Sequence, residues 1–196
     1  MSEQWHRTGK ILIATIVIVV VCGAVMIALA LRHGLSSRAE PTLMEETIAR
    51  SARHFATPLA MRKRTNPVRL TDNVMAEARA HWADHCATCH ANDGSGQTEI
   101  GHNLYPRAPD MRRRRTQELT DGELFSIIKN GIRLTGMPAW GDPAGHDDED
   151  NWKLVHFIRH LPKITPQEIE EMKSMNPVNP MEMKEEQQEK KFLEGH

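Results

Sequence analysis

Cys86-Ala87-Thr88-Cys89-His90 is the stretch on which the reading of this chain turns. Two cysteines three positions apart at a helix end lie on nearly the same face. They come within reach of the two vinyl groups on one haem edge. The adjacent histidine is then carried beneath the porphyrin, where an imidazole nitrogen can bind iron axially. A C-x-x-C pair alone also serves zinc sites and redox dithiols. The immediate histidine, with no second C-x-x-C anywhere in the chain, favours haem attachment over both. A structural zinc site usually asks for four protein ligands, and Cys86, Cys89 and His90 supply fewer. A redox dithiol would follow a buried strand, and no Val/Ile-rich strand precedes Cys86. The string therefore predicts one haem, held through Cys86 and Cys89. Cys22, the remaining cysteine, sits in an apolar run and reads as a small hydrophobe.

Helical signals surround the string. Upstream, Thr71 is a good N-cap, with Leu70 and Met75 placed as a hydrophobic staple. Val74, Ala78, Trp82 and His85 recur at helical spacing, which puts Trp82 in the core beside the haem. Asn92-Asp93-Gly94-Ser95-Gly96 breaks the chain into a turn, and Pro106 and Pro109 stiffen a loop over 101–115. Thr120-Asp121-Gly122-Glu123 is a capping box, Leu124, Ile127 and Ile128 form an apolar stripe, and Gly131 is a C-terminal stop. A further helix follows the acidic run Asp147-Asp148-Glu149-Asp150, which suits a helix N-terminus. Its stripe is Leu154, Phe157, Ile158 and Leu161, and Pro162 ends it. A calcium loop is the competing reading of the acidic run, but the glycine and terminal glutamate of an EF-hand are missing. Thr165-Pro166-Gln167-Glu168 opens a last short helix.

Ile11 to Leu31 carries no charge. As a helix it would span roughly 31 Å, close to the hydrocarbon thickness of a bilayer. Ala28-Leu29-Ala30 resembles a cleavage site, but the run is longer than the apolar part of a signal peptide, so an uncleaved signal-anchor is expected. Arg7 and Lys10 before it nearly balance Arg32 and Arg38 after it, so charge alone does not set the orientation. A net charge of −1 gives no argument for nucleic-acid binding. The chain then divides into a cytoplasmic N-terminus (1–10), a transmembrane helix (11–31), a tether (32–70), a helical domain (71–164) and a charged extension (165–196). A domain of that size has little core of its own, and a buried porphyrin would supply the missing apolar volume.

Haem iron needs a sixth ligand unless the protein is a catalyst. Met137, in Gly136-Met137-Pro138-Ala139-Trp140, is the best candidate, since it lies in a loop between helices where glycine allows close approach and proline fixes the backbone. A neutral, soft thioether favours ferrous iron and raises the potential relative to histidine. The rivals are Met111 and His102, then His81 and His146. In the tail, Met172, Met175, Met181, Met183 and His196 could bind soft copper but lack regular spacing.

The region from about Thr71 to Pro162 resembles the class I, monohaem c-type cytochromes. The resemblance rests on the helix ending in Cys86-Ala87-Thr88-Cys89-His90, the proline-containing loop, Gly136-Met137-Pro138 and the C-terminal helix. It implies an all-α fold wrapped around one haem c and a role in one-electron transfer with protein redox partners. It also implies thioether links at Cys86 and Cys89, proximal ligation by His90 and distal ligation by Met137. Pro109, or else Pro106, would offer the carbonyl that orients the proximal imidazole. Haem attachment in that family occurs outside the bacterial cytoplasmic membrane, which places everything after Leu31 on that side. Two positions depart from the family: Ala78, where glycine usually lets the first helix touch an aromatic such as Phe157, and Ala91, where glycine often follows the histidine. The alternatives are a subunit of a larger respiratory or photosynthetic complex, or a haem peroxidase or ligand sensor if Met137 does not ligate. Arg112-Arg113-Arg114-Arg115 reads as a solvated loop or as a surface that steers an acidic partner.

Overall fold

A computed structural model describes residues 2–33, 36–142, 144, 148–178, 188 and 190–192. Among them every regular element is helical, so the protein is all-α. The chain forms two compact units, Met1–Ala39 and Glu40–His196.

The first unit is one long helix, α1 (Ser2–His33). Its stretch Arg7–Leu29 is long and apolar enough to cross a membrane, with a mean hydropathy of 3.1 and none of it buried against protein. Ile13, Val17 and Val20 are each more than half exposed, and Cys22 is exposed with them. A helix of that length and composition fits membrane anchoring.

The second unit begins with α2 (Leu43–Ala56) and α3 (Leu59–Arg62). Thr42 and Glu45 close a capping box at the start of α2. The sequence reading made 32–70 a tether, yet this segment docks on the unit it was expected to carry. α3 packs on α8 (Asp121–Asn130), and the side chain of Asn66 donates to the carbonyl of Trp152 at 2.8 Å. Met61 and Val68 also pack against the hydrophobic core, but they stand apart in the chain and form no periodic stripe.

α4 (Asp72–His81) starts at Thr71, whose hydroxyl accepts the N–H of Val74. The helix does not run uniformly to Cys86. A π-helical turn, Trp82–Cys86, follows, closed by the N–H of Ala87 bonding to the carbonyl of Trp82, and α5 (Ala87–His90) carries the rest of the string. The wider turn shifts the register by a residue. Cys86 and Ala87 therefore turn inward, and His85, expected on the buried face, is exposed.

Two short helices, α6 (Glu99–Asn103) and α7 (Arg114–Gln117), lie in the long loop before α8. Thr120 and Glu123 form the capping box of α8, and Gly131 ends it at φ 64°. α9 (Glu149–His160) packs against both α4 and α8. Being covered on two sides, it buries Trp152 and Val155 as well as the expected Leu154, Phe157 and Ile158. Trp152 stacks on Phe125 of α8, with ring centroids 4.1 Å apart, and Phe157 meets Trp82 at 5.4 Å. Fully burying one such ring is worth about 2–3 kcal/mol. A 3-10 turn at Leu161–Lys163 leads to α10 (Pro166–Lys173). The charged extension joins the unit there: Met172 is wholly buried, and Arg79 of α4 pairs with Glu168 and Glu171. Met172 is thus a core side chain rather than a copper ligand, while Met181, Met183 and His196 fall outside the described residues.

Candidate haem site

The C-x-x-C-H string is held at its C-terminal end by a set of capped carbonyls. The hydroxyl of Thr98 donates to the carbonyl of Cys89 at 3.2 Å, and the N–H of Gly96 to that of His90 at 2.8 Å. The carbonyl of Ala91 accepts the indole N–H of Trp82 at 3.0 Å and the N–H of Gly94 at 3.1 Å. These bonds turn the chain sharply after His90. Gly96 stands at φ 72°, where a Cβ would strike the backbone of Ala108. Ala91 caps α5 at φ 62°, ψ 159°, a region that glycine occupies freely and other residues at a cost of about 1–3 kcal/mol. The substitution of alanine for the family's common glycine therefore matters more than the sequence suggested.

Trp82, Cys86 and His90 line one wall of an apolar cleft. Ile128 of α8 with Leu154 and Ile158 of α9 form a second, and Met111, Met137 and Trp140 complete it from the loops. The Met137 loop is fixed to α8. The N–H of Trp140 bonds to the carbonyl of Ile128 at 3.0 Å, and Ile132 reaches the carbonyl of Met137 at 3.1 Å. Met137 itself donates its N–H to the Thr135 hydroxyl at 3.1 Å. The geometry thus brings Cys86, His90, Met137 and Trp82 together, with Cys89 partly buried one helical turn beyond Cys86.

His90 is buried and its Nδ1 has no hydrogen-bond partner. Burial pushes its imidazole down to about 4, so the ring is neutral at physiological pH and has a lone pair to offer a metal. Pro109 was expected to accept from that ring, but the bond is not formed; its carbonyl lies near Gly96 instead. Burial also pushes the Cys86 thiol up to about 12, and Cys89 moves the same way. Both stay as thiols, the opposite of the depressed values that make a dithiol catalyst reactive. An apolar wall, an orphaned imidazole nitrogen, two protonated thiols and a thioether suit a flat, apolar macrocycle carrying iron.

The rival ligands separate by place. Met111 lines the cleft but also packs against the hydrophobic core, as filler would. His102 is exposed and bonds to Gln97 at 2.9 Å. His81 packs edge-on to His85, and His146 lies outside the described residues. Each arginine of the 112–115 run is paired with a carboxylate: Arg112 with Asp93 and Asp110, Arg113 with Asp110, Arg114 with Glu118, Arg115 with Glu46. Of the acidic run, Asp148 meets Lys129, and Glu149 and Asp150 meet Lys153, while Asp147 lies outside the described residues. Among the described residues no group of three His, Cys, Asp or Glu side chains is placed to hold a metal ion. Sequence reading missed Ile128, Trp140 and Leu154 as cleft residues, because an apolar stripe does not announce whether it faces protein or cofactor.

Residues 73–158 match the family described as cytochrome C oxidase, cbb3-type, subunit III. No curated protein matches the chain. The matched segment is a c-type cytochrome domain, carried on a chain whose N-terminal helix fits membrane anchoring. Such a domain implies a covalently held haem c and a place in electron transport.

Proposed function

We propose that the protein is a membrane-tethered monohaem carrier of single electrons, with haem c bonded through Cys86 and Cys89 and its iron gripped by His90 and Met137. The observation that carries this reading is the apolar cleft lined by Cys86, His90 and Met137 alike. When bound, the haem supplies an Fe(II)/Fe(III) couple. Trp82, Ile128, Leu154 and Ile158 exclude water around it, and Met137 offers a neutral sulfur, and both favour the ferrous state. His90 is a neutral imidazole, so one ring nitrogen keeps its proton while the other has a free lone pair for the metal. With His90 and Met137 both engaged, no small substrate reaches the iron, which sets the carrier reading above a peroxidase. Trp140, 37 % exposed, is the part of the cleft wall most open to solvent. In this reading α1 remains attached as an anchor and the Glu40–His196 unit lies outside the cytoplasmic membrane.

The test is a pair of substitutions. Met137→Ala should lower the midpoint potential and open the iron to cyanide, whereas Met111→Ala should leave both unchanged. Axial ligands and their surroundings move haem potentials over roughly 0.8 V, so the difference is readable. An unaltered potential and spectrum in Met137→Ala would remove Met137 as ligand. A second reading, a haem-c subunit of a larger respiratory complex, is favoured by the family match. Stable co-purification with membrane subunits after mild detergent extraction would decide for it.

A further inference from the structure

α2 is mounted on the helical unit with its polar side inward. Its partly covered positions are Glu46, Arg50 and Arg53, followed by buried Thr57. Charge holds them: Glu46 pairs with Arg50 and Arg115, and Arg53 and His54 face Glu123. On the other side Met44, Ile48 and Phe55 recur at helical spacing and are 61 %, 61 % and 81 % exposed. Leu43 at the start of α2 and Leu59 at the start of α3 are more than half exposed as well. A surface helix of a soluble domain does the reverse and buries its apolar stripe. An apolar stripe held outward by ion pairs has a partner elsewhere.

We infer that this stripe lies in the headgroup layer of the membrane that α1 crosses, making α2 a second, interfacial contact. The inference rests on α1 being a retained span. The chain itself delivers the lipid: only nine residues, 34–42, separate the end of α1 at His33 from the start of α2 at Leu43. The ten Cα–Cα steps across that segment reach at most about 35 Å even when fully extended, so α2 never leaves the neighbourhood of the bilayer surface. Ser51 interrupts the stripe between Ile48 and Phe55, and the neighbouring Thr47 hydroxyl is already spent on the carbonyl of Leu43. Lys63, exposed just beyond α3, adds a cation near anionic headgroups.

The experiment uses the full-length haem-loaded protein in vesicles of phosphatidylcholine and phosphatidylglycerol, on a Cys22→Ser background. A nitroxide is placed in turn at Ile48→Cys, Phe55→Cys, Val19→Cys in α1, and Arg114→Cys, whose side chain is 87 % exposed. Collision with oxygen, which concentrates in lipid, is compared with collision with a water-soluble nickel chelate. Labels at 48 and 55 should favour oxygen several-fold over the label at 114, while the label at 19 reports full depth. The double change Ile48→Asp with Phe55→Asp, read from a label at Met44→Cys, should abolish that preference and leave the haem spectrum unchanged. Labels at 48 and 55 that behave like the one at 114, with 19 deep, would overturn the inference and spare the span. A shallow label at 19 would overturn the span itself, and the inference with it. Protection of 48 and 55 from both reagents would mean that protein, a partner or a second copy, covers the stripe, and would overturn it too.

Discussion

Gly131→Ala is the substitution that best separates a loop held by backbone packing from one held by flexible side chains. Gly131 sits at φ 64°, ψ −168°, a conformation nearly confined to glycine. A Cβ built there would lie 2.6 Å from the carbonyl carbon of Pro138, 2.7 Å from the nitrogen of Ala139 and 2.7 Å from the carbonyl oxygen of Met137. All three are backbone atoms of the loop that presents Met137, so the loop itself must move. Strain of about 1–2 kcal/mol and overpacking of about 1–2 kcal/mol give a loss of about 3 kcal/mol. Gly136 is the control in the same loop. There a Cβ would meet Leu104 Cδ2 at 2.5 Å and Cδ1 at 2.9 Å, the far end of a side chain that can rotate away, and no positive φ is involved. Its change to alanine should cost under about 1 kcal/mol. Urea unfolding of the haem-loaded protein followed by far-UV circular dichroism measures both. With a slope near 1.5–2 kcal/mol per molar, the Gly131→Ala midpoint should fall by roughly 1.5–2 M. The weak long-wavelength band of methionine-ligated ferric haem should fade in the same variant. A midpoint shift equal to that of Gly136→Ala would refute the reasoning.

Two further outcomes follow from single residues. Ala91→Gly should stabilise the protein by about 1 kcal/mol, because glycine enters the φ 62° conformation without strain; unfolding midpoints check it, and destabilisation would show that Ala91 is not strained. Hydrogen bonds from Arg112, and then Arg113, hold the Asp110 carboxyl down at about 2. A depressed carboxylate contributes stability above its unfolded value, near 4, and loses it as pH falls towards 2. After solvent screening about 1 kcal/mol is at stake, so the stability difference between the protein and Asp110→Asn should shrink to nothing between pH 4 and pH 2.

Much of the site could be read from residue types because covalent chemistry fixes them. Cys86, Cys89 and His90 form a contiguous string, and Met137 stands in the loop between α8, which announces itself by its caps, and α9, whose start is marked by acidic residues. The boxes at Thr120 and Thr165 and the stop at Gly131 are where the signals placed them. The π-helical turn before Cys86 left no mark, since it inserts register without changing composition, and it is the reason Cys86 rather than His85 faces the cleft. Phe125 and Trp152 were missed because each lies off the main stripe of its helix, and only the stacking of α8 on α9 buries them. The docking of residues 40–70 escaped for a related reason. Salt bridges, an asparagine and two isolated apolar side chains, Met61 and Val68, hold it, and such contacts have no periodicity to detect.

The most direct measurement is the intact mass of protein matured in a host that attaches haem covalently, taken after denaturation. The account requires the added mass of one haem, with peptide fragmentation locating it on Cys86 and Cys89 and neither thiol open to alkylation. An unmodified polypeptide in which both thiols alkylate would contradict it.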